Sequence, residues 1–280
     1  MLVLDTIFDS LHLQREIHRK AKVTWVRDEP TQGDIDHILA QGTPSDFDPN
    51  GLRAQTLDDL SKGRARLVTK RCGFGKILAV VYPNTIIPWD MFGRILSCVG
   101  LPKKPWRIVW LANPAKRVFP EGIPGIPGIP GIPGIPGPAH INGGYTYQCT
   151  SDTIVIFREE EVLRVLIHEL LHAACTDNPN HSDPLREVLT ETWAELFLVC
   201  IVAKSKAHAH RLWNLQAQWI VKQEALLAQS VKGPEDYAWR YTVGRRQVLE
   251  GLGIALPFSP PSSGAGTLSL RFTSPLISNP

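Results

Sequence analysis

The chain lacks any paired-cysteine signature. Its five cysteines, Cys72, Cys98, Cys149, Cys175 and Cys200, are odd in number, widely spaced and free of a CxxC pair. That spacing suggests neither a disulfide framework nor a thiolate metal site, and a reducing compartment is the simpler expectation. A long apolar run is also missing. No stretch reaches the roughly 18 uncharged apolar residues that a membrane span requires, and Asp5 and Asp9 interrupt the N-terminal run before it reaches signal-peptide length. These absences lead to the expectation of a soluble, cytoplasmic protein with no membrane partner. Charge of one sign is absent as well: 30 Lys and Arg stand against 27 Asp and Glu, a formal net charge of +3. Such a balance is too even to point to nucleic acid or an anionic membrane. The basic residues Lys62, Arg64, Arg66, Lys70, Arg71 and Lys76 cluster without aromatic interleaving and read as a solvated face.

What is present is a chain of 280 residues, long enough for one large domain or two modest ones with a buried core. Residues 1–20 carry Leu4, Ile7, Phe8, Leu11 and Leu13 among charges, the spacing of a short amphipathic helix. Residues 28–63 are rich in Asp, Gly, Pro and Gln and read mostly as loop, with a helical piece from Leu52 to Leu60. Ile77 to Tyr82 and Trp106 to Leu111 are β-rich runs of one sheet. From Gly122 the triplet Gly-Ile-Pro recurs five times, ending Gly137-Pro138. This is the collagen-like pattern, too short for a stable triple helix, and it reads as a repeat expanded within a surface loop at little entropic cost.

After the repeat, Gly144 to Gln148 and Thr153 to Phe157 form a candidate hairpin. Glu159 to Ala174 is a helix candidate that opens on three acids and is apolar almost all round, so it is expected to be buried. Asp183-Pro184 starts a long helical run to about Ala203, and further helices are expected over 207–231 and, after Gly233-Pro234, over 235–252. The segment 257–280 has little periodicity and reads as unstructured. The fold class is therefore α+β, a β-containing N-terminal half followed by an all-helical C-terminal half. Its expected divisions are a helical and loop region at 1–75, a main domain at 76–256 containing the repeat loop at 122–138, and the tail.

Inside the buried helix the sequence reads His168-Glu169-Leu170-Leu171-His172. Residues four apart lie nearly above one another on a helix, so both imidazoles can grip one ion. Glu169 projects about 60° from His172, which leaves it free to reach a water on that ion. Neutral imidazoles suit Zn2+, and a catalytic zinc site keeps one position open to water. Three polar residues on an apolar buried helix would each carry a desolvation cost, which a metal would offset.

A third protein ligand is needed, and several residues compete. A metzincin would place a histidine where this chain has Asn178 and a glycine where it has Cys175, so that subclass does not fit. His181, in Asn180-His181-Ser182-Asp183-Pro184, faintly resembles the His-containing segment of SprT-type proteases. Glu187, Glu191 and Glu195 form a stripe at spacing four, which taken alone would read as a solvated face but is flanked by Val188, Leu189, Trp193, Leu196 and Phe197. The run Thr190-Glu191-Thr192-Trp193-Ala194-Glu195 resembles the glutamate helix of gluzincins, the HExxH peptidases whose third ligand is a glutamate. Its separation of 19 residues from His172 (191 minus 172) is close to that of the thermolysin-like members.

This resemblance covers about 164–197. It implies a zincin-like fold, Glu191 as third ligand and Glu195 as an acid that accepts a hydrogen bond from a ligating imidazole, with Glu187 a lesser ligand candidate. One departure is Glu195 itself, where thermolysin-like enzymes carry aspartate. The implied activity is hydrolysis of a peptide or protein substrate, with Glu169 as general base and an oxyanion donor from a later helix. Tyr237, Tyr241, His208 and His210 are the candidates for that donor. The hairpin before the helix would then hold an extended substrate by β-addition. Rival readings are an SprT-like protease using His181, a metal-dependent hydrolase of non-peptide substrates, and a non-catalytic interaction module.

Overall fold

A computed structural model describes residues 2–19, 23–100, 104–120, 134–178, 180–228, 230–257 and 270–278. In chain order the elements are α1 (Leu2–Arg19), β1 (Val26–Arg27), α2 (Gln32–Ala40), α3 (Leu52–Ser61), β2 (Arg66–Cys72), β3 (Gly75–Val81), α4 (Trp89–Val99), β4 (Trp106–Leu111), α5 (Pro138–Ile141), β5 (Gly144–Thr146), β6 (Ile154–Ile156), α6 (Val162–Ala173), α7 (Asp183–Val202), α8 (Lys206–Leu227), a 3-10 helix (Tyr237–Tyr241), α9 (Gly244–Gly251) and α10 (Pro275–Ser278). Among the described residues no strand follows β6, so the chain is α+β with its strands in the N-terminal part. No described helix is long and apolar enough to cross a membrane. Of the repeat loop expected at 122–138, residues 122–133 lie outside the described residues.

The chain packs as two compact units of interleaved segments. One comprises 9–115 and 142–177, the other 1–8, 116–141 and 178–280. The expected cuts at 75 and 256 thus differ from these units, because residues 9–75 supply strands and helices to the same unit as β3 and β4.

The first unit is built on a mixed sheet of order β1-β2-β3-β4-β6-β5. β2 and β3 form an antiparallel hairpin that closes at Cys72 opposite Gly75, β3 and β4 run parallel, β4 and β6 run parallel, and β5 returns antiparallel to β6 as an edge strand. Side chains alternate across a strand, so Leu78, Val80, Val109, Leu111 and Val155 share one face, packed with Ile38 of α2 and Leu52 and Leu57 of α3. The opposite face, with Ile77, Ile108, Trp110, Ile154 and Ile156, is fully buried, and Phe92 of α4 meets Trp110 edge-on at 5.7 Å. Helix α6 lies on this second face against β5, β6 and α4.

Four elements here, β1, α2, β2 and α4, are not evident in the sequence. α2 starts with a capping box in which Thr31 and Asp34 satisfy each other's backbone amides, a signal obscured by aspartate in place of the usual Glu or Gln. α4 carries the crossover between β3 and β4. β2 lies within the basic run, four of whose cations are paired: Lys62 and Arg64 with Asp58, Arg71 with Asp28, and Lys76 of β3 with Asp28 at 2.7 Å and Asp34 at 2.6 Å.

The second unit is helical in its described part. Val188 of α7, Leu227 of α8, Trp239 of the 3-10 helix, Phe119, Ile141, Leu270 and Phe272 form its core. A single helix expected over 235–252 is instead broken into the 3-10 turn and α9, because Trp239 turns into this core and Gly244 packs directly on Val188 and the Trp239 carbonyl. A Cβ at Gly244 would lie 2.7 Å from Val188 Cγ2. The end of the tail also departs from the unstructured reading. Leu270, Phe272 and Ile277 are buried, and Gln216 of α8 donates to the Phe272 carbonyl at 2.6 Å while accepting from the Ser274 amide at 2.9 Å. Residues 258–269 lie outside the described residues.

Candidate metal centre

Helix α6 is buried along its whole length, including Arg164, His168, Glu169 and His172. It begins at Val162 rather than at Glu159, because Glu161 adopts a left-handed conformation (φ 59°) and sets the entry angle of the helix. The turn geometry then does what the spacing demands. Nε2 of His168 and Nε2 of His172 approach to 3.1 Å, with ring centroids 4.7 Å apart and the rings inclined at 75°.

The donor chemistry can be tested against an ion. Two nitrogens on a tetrahedral zinc at 2.0–2.1 Å stand about 3.3–3.4 Å apart, so the observed pair needs to open by only about 0.3 Å. Nδ1 of His172 bonds Asp177 Oδ2. A carboxylate accepts the Nδ1 proton, so Nε2 of His172 presents its lone pair, the tautomer a metal ligand needs. The residues in this unit fit a zinc ion.

Glu169 lies against β5. A Cβ built on Gly144 would sit 3.0 Å from Glu169 Oε1, 2.7 Å from Val165 Cγ1 and 2.9 Å from the Val155 carbonyl. The edge strand therefore reaches the carboxylate only because residue 144 has no side chain. β5 pairs with β6 along one side, so its other edge ends the sheet.

Beyond the helix, Cys149 in the hairpin loop is disulfide-bonded to Cys175, with Cα atoms 4.7 Å apart across 26 residues of sequence. This corrects the expectation that no cysteines pair. Connectivity is not readable from spacing, and the bond depends on the hairpin folding back to the end of α6. A reducing compartment therefore no longer follows from the cysteines, since disulfides persist in oxidising settings. Cys72, Cys98 and Cys200 are free thiols.

The second unit holds the remaining candidates. On α7, Glu187 is half-buried, whereas Glu191 and Glu195 are almost wholly enclosed. Glu195, expected to support an imidazole, accepts a hydrogen bond from Arg245 Nη1, and the two side chains are 1% and 0% exposed. Arg245 also donates to the Thr242 carbonyl at 2.9 Å and to Gln223 Oε1. Tyr237 and Tyr241 stand 3.5 Å apart at their hydroxyls. Burial first, then the charge of Glu187, the neighbouring Tyr237 and the charge of Glu191, hold the Tyr241 phenol well above its ordinary pKa. It is a proton-bearing donor at neutral pH and shares a neighbourhood with both glutamates.

His181 is half-buried, with Nε2 3.4 Å from Asn178 Nδ2. His208 accepts from the Lys204 amide at 3.2 Å beside the start of α8, and His210 pairs with Asp5 at 2.8 Å. Sequence reasoning passed over Asp177, Gly144 and the cysteine pair. The readable signals were an acid five residues past the second histidine and a Gly-Gly step at the head of the hairpin.

Comparison with protein-family models, curated proteins and solved structures gave no match.

Proposed function

We propose that this protein is a zinc-dependent peptidase in which His168 and His172 bind the metal, Glu169 is the general base, and a glutamate of α7 completes the ligand set. The observation that carries the reading is the His168–His172 pair, with its Nε2 atoms 3.1 Å apart and Asp177 on the far nitrogen of His172. A cation held between two buried histidines so oriented would offset part of their desolvation. For the third ligand we propose the half-buried Glu187, with the sequence-based candidate Glu191 as the alternative.

When bound, zinc supplies a Lewis acid that polarises a carbonyl and makes water acidic enough to lose a proton near pH 7. Glu169 takes the proton from the attacking water and delivers it to the leaving amine nitrogen. The bare backbone at Gly144 lets an extended peptide lie along β5 without a side chain crowding that carboxylate. Tyr241, with Tyr237 behind it, is the proposed donor to the developing oxyanion, because its phenol keeps its proton.

The decisive experiment combines zinc content with cleavage of a peptide library. Wild type and Glu169→Gln should each hold about one zinc per chain, and only wild type should cleave. His172→Ala should lose the metal. Loss on Glu187→Ala but not Glu191→Ala supports Glu187, and the converse supports the gluzincin ligand. Loss on His181→Ala alone favours the SprT-like arrangement. A wild type without zinc sinks the proposal.

A further inference from the structure

The disulfide lies at the end of α6, where the second histidine sits. The amides of both Cys149 and Cys175 donate to the carbonyl of His172, at 3.2 and 3.1 Å. Gln148, next to Cys149, donates from Nε2 to Asp177 Oδ2 at 3.1 Å, and that same oxygen holds His172 Nδ1. Asp177 is two residues past Cys175. Hairpin loop, helix end and orienting carboxylate therefore converge on one histidine, the amides on its carbonyl and Asp177 on its ring. Cys149 and Cys175 both hold positive φ, 61° and 58°, a conformation that is strained for an L-residue and persists only where the surroundings enforce it. Both cysteines are solvent-exposed, so a small thiol can reach the bond.

We propose that the Cys149–Cys175 disulfide is a redox-responsive positioning clamp for His172: oxidised, it holds the hairpin loop and residues 174–177 together so that Asp177 fixes the imidazole for metal binding, and reduction releases that hold. The proposal rests on the metal-site reading above. In the reductive step two equivalents of a monothiol such as glutathione supply two electrons and two protons. The Sγ–Sγ bond breaks, Cys149 and Cys175 each become a thiol, and the reductant couples into its own disulfide. Released, the loop no longer presents Gln148 to Asp177, and both left-handed residues can relax.

The test uses the full chain and zinc alone. Zinc affinity is measured by chelator competition for the oxidised protein and for protein reduced with dithiothreitol that is then removed anaerobically. Cys149→Ser/Cys175→Ser serves as a permanent reduced mimic. Loss of a group orienting a metal-bound histidine typically weakens binding 10- to 100-fold, so reduction should weaken zinc binding by about that factor in wild type. In Asp177→Asn the affinity should already be lower by a similar factor, and reduction should add nothing. A wild-type affinity indifferent to reduction overturns the clamp, as does an equal loss in the Asp177→Asn background. An oxidised wild type that binds no zinc overturns the metal reading and the clamp with it.

Amide exchange on the metal-free chain supplies a second readout. Reduction should speed exchange at residues 149 and 175–177 at least tenfold while amides inside α6 keep their protection. Uniform acceleration along α6 would mean that the bond holds the helix rather than the ligand, and the clamp would be abandoned.

Discussion

Helices α6 and α7 pose the same physical problem and solve it differently. Each carries ionisable side chains into an apolar interior: His168, Glu169 and His172 on α6, Glu191 and Glu195 on α7. On α6 the partners come from nearby in the chain. His168 and His172 meet one turn apart, Asp177 follows five residues later, and Gly144 arrives from the hairpin just upstream. On α7 Glu195 accepts from Arg245, 50 residues away, itself held by Thr242 and by Gln223 of α8. A local solution survives as long as its own segment folds. A distant one exists only when the whole helical unit has assembled, so it couples the polar group to global stability.

The largest way to break that contrast is Arg245→Ala. It takes a charged partner from a buried carboxylate and should cost about 3–5 kcal/mol, the usual penalty for removing one partner of a buried pair. Urea unfolding would read this as a drop in midpoint, and a change below 1 kcal/mol would mean that Glu195 has other support of equal worth.

Gly144→Ala attacks the local side. The new methyl meets a backbone carbonyl at 2.9 Å that cannot yield, and should cost roughly 1–3 kcal/mol through overpacking. It should also displace Glu169, so peptide cleavage should fall while zinc content stays near one per chain. Unchanged cleavage would detach the edge strand from the base.

Asp34 joins both kinds of partner in one residue and sharpens the comparison. Burial works to raise its carboxyl, but the hydrogen bond from Lys76, those from Thr31 and the Lys76 charge outweigh it and bring the pKa from 3.8 down to about 2. At 1.36 kcal/mol per unit this corresponds to about 2 kcal/mol. The folded pKa is depressed, so this stability is present above pH 3.8 and is lost as the pH falls through about 2. Asp34→Asn should therefore be less stable than wild type by about 2 kcal/mol at pH 7, with the gap closing by pH 2. A gap that persists at pH 2 would assign the effect to packing.

The smallest expected effect isolates the local half of the same arrangement. Thr31→Ala removes the capping box of α2 and should cost about 1 kcal/mol, measurable by thermal unfolding. A loss equal to that of Asp34→Asn would show that the distant Lys76 contributes nothing.

Much of the architecture was legible because it is written in short periods. Short apolar runs of β-branched and aromatic residues announced β3 and β4, and turn residues marked the β5–β6 hairpin. The apolar surround of α6 declared its burial. β2 escaped notice because its short apolar stretch, Leu67 and Val68, is bracketed by Arg66, Lys70 and Arg71, and only Thr69 along it is buried. The break between the 3-10 helix and α9 escaped because nothing local forbids a continuous helix there; the packing of Trp239 and Gly244 imposes it.

By itself the amino-acid sequence determined that two imidazoles and a carboxylate share one buried helix, since i and i+4 neighbours follow from helical pitch alone. Only the tertiary structure decided that Asp177 turns back onto His172, that Cys149 reaches Cys175, that Arg245 takes Glu195, and that Leu270, Phe272 and Ile277 are packed rather than loose. The physical reason is distance along the chain. A contact within one or two turns is fixed by backbone geometry, whereas a contact across 26 or 50 residues is chosen by which apolar surfaces pack together, and the polar groups pair with whatever that packing brings within reach.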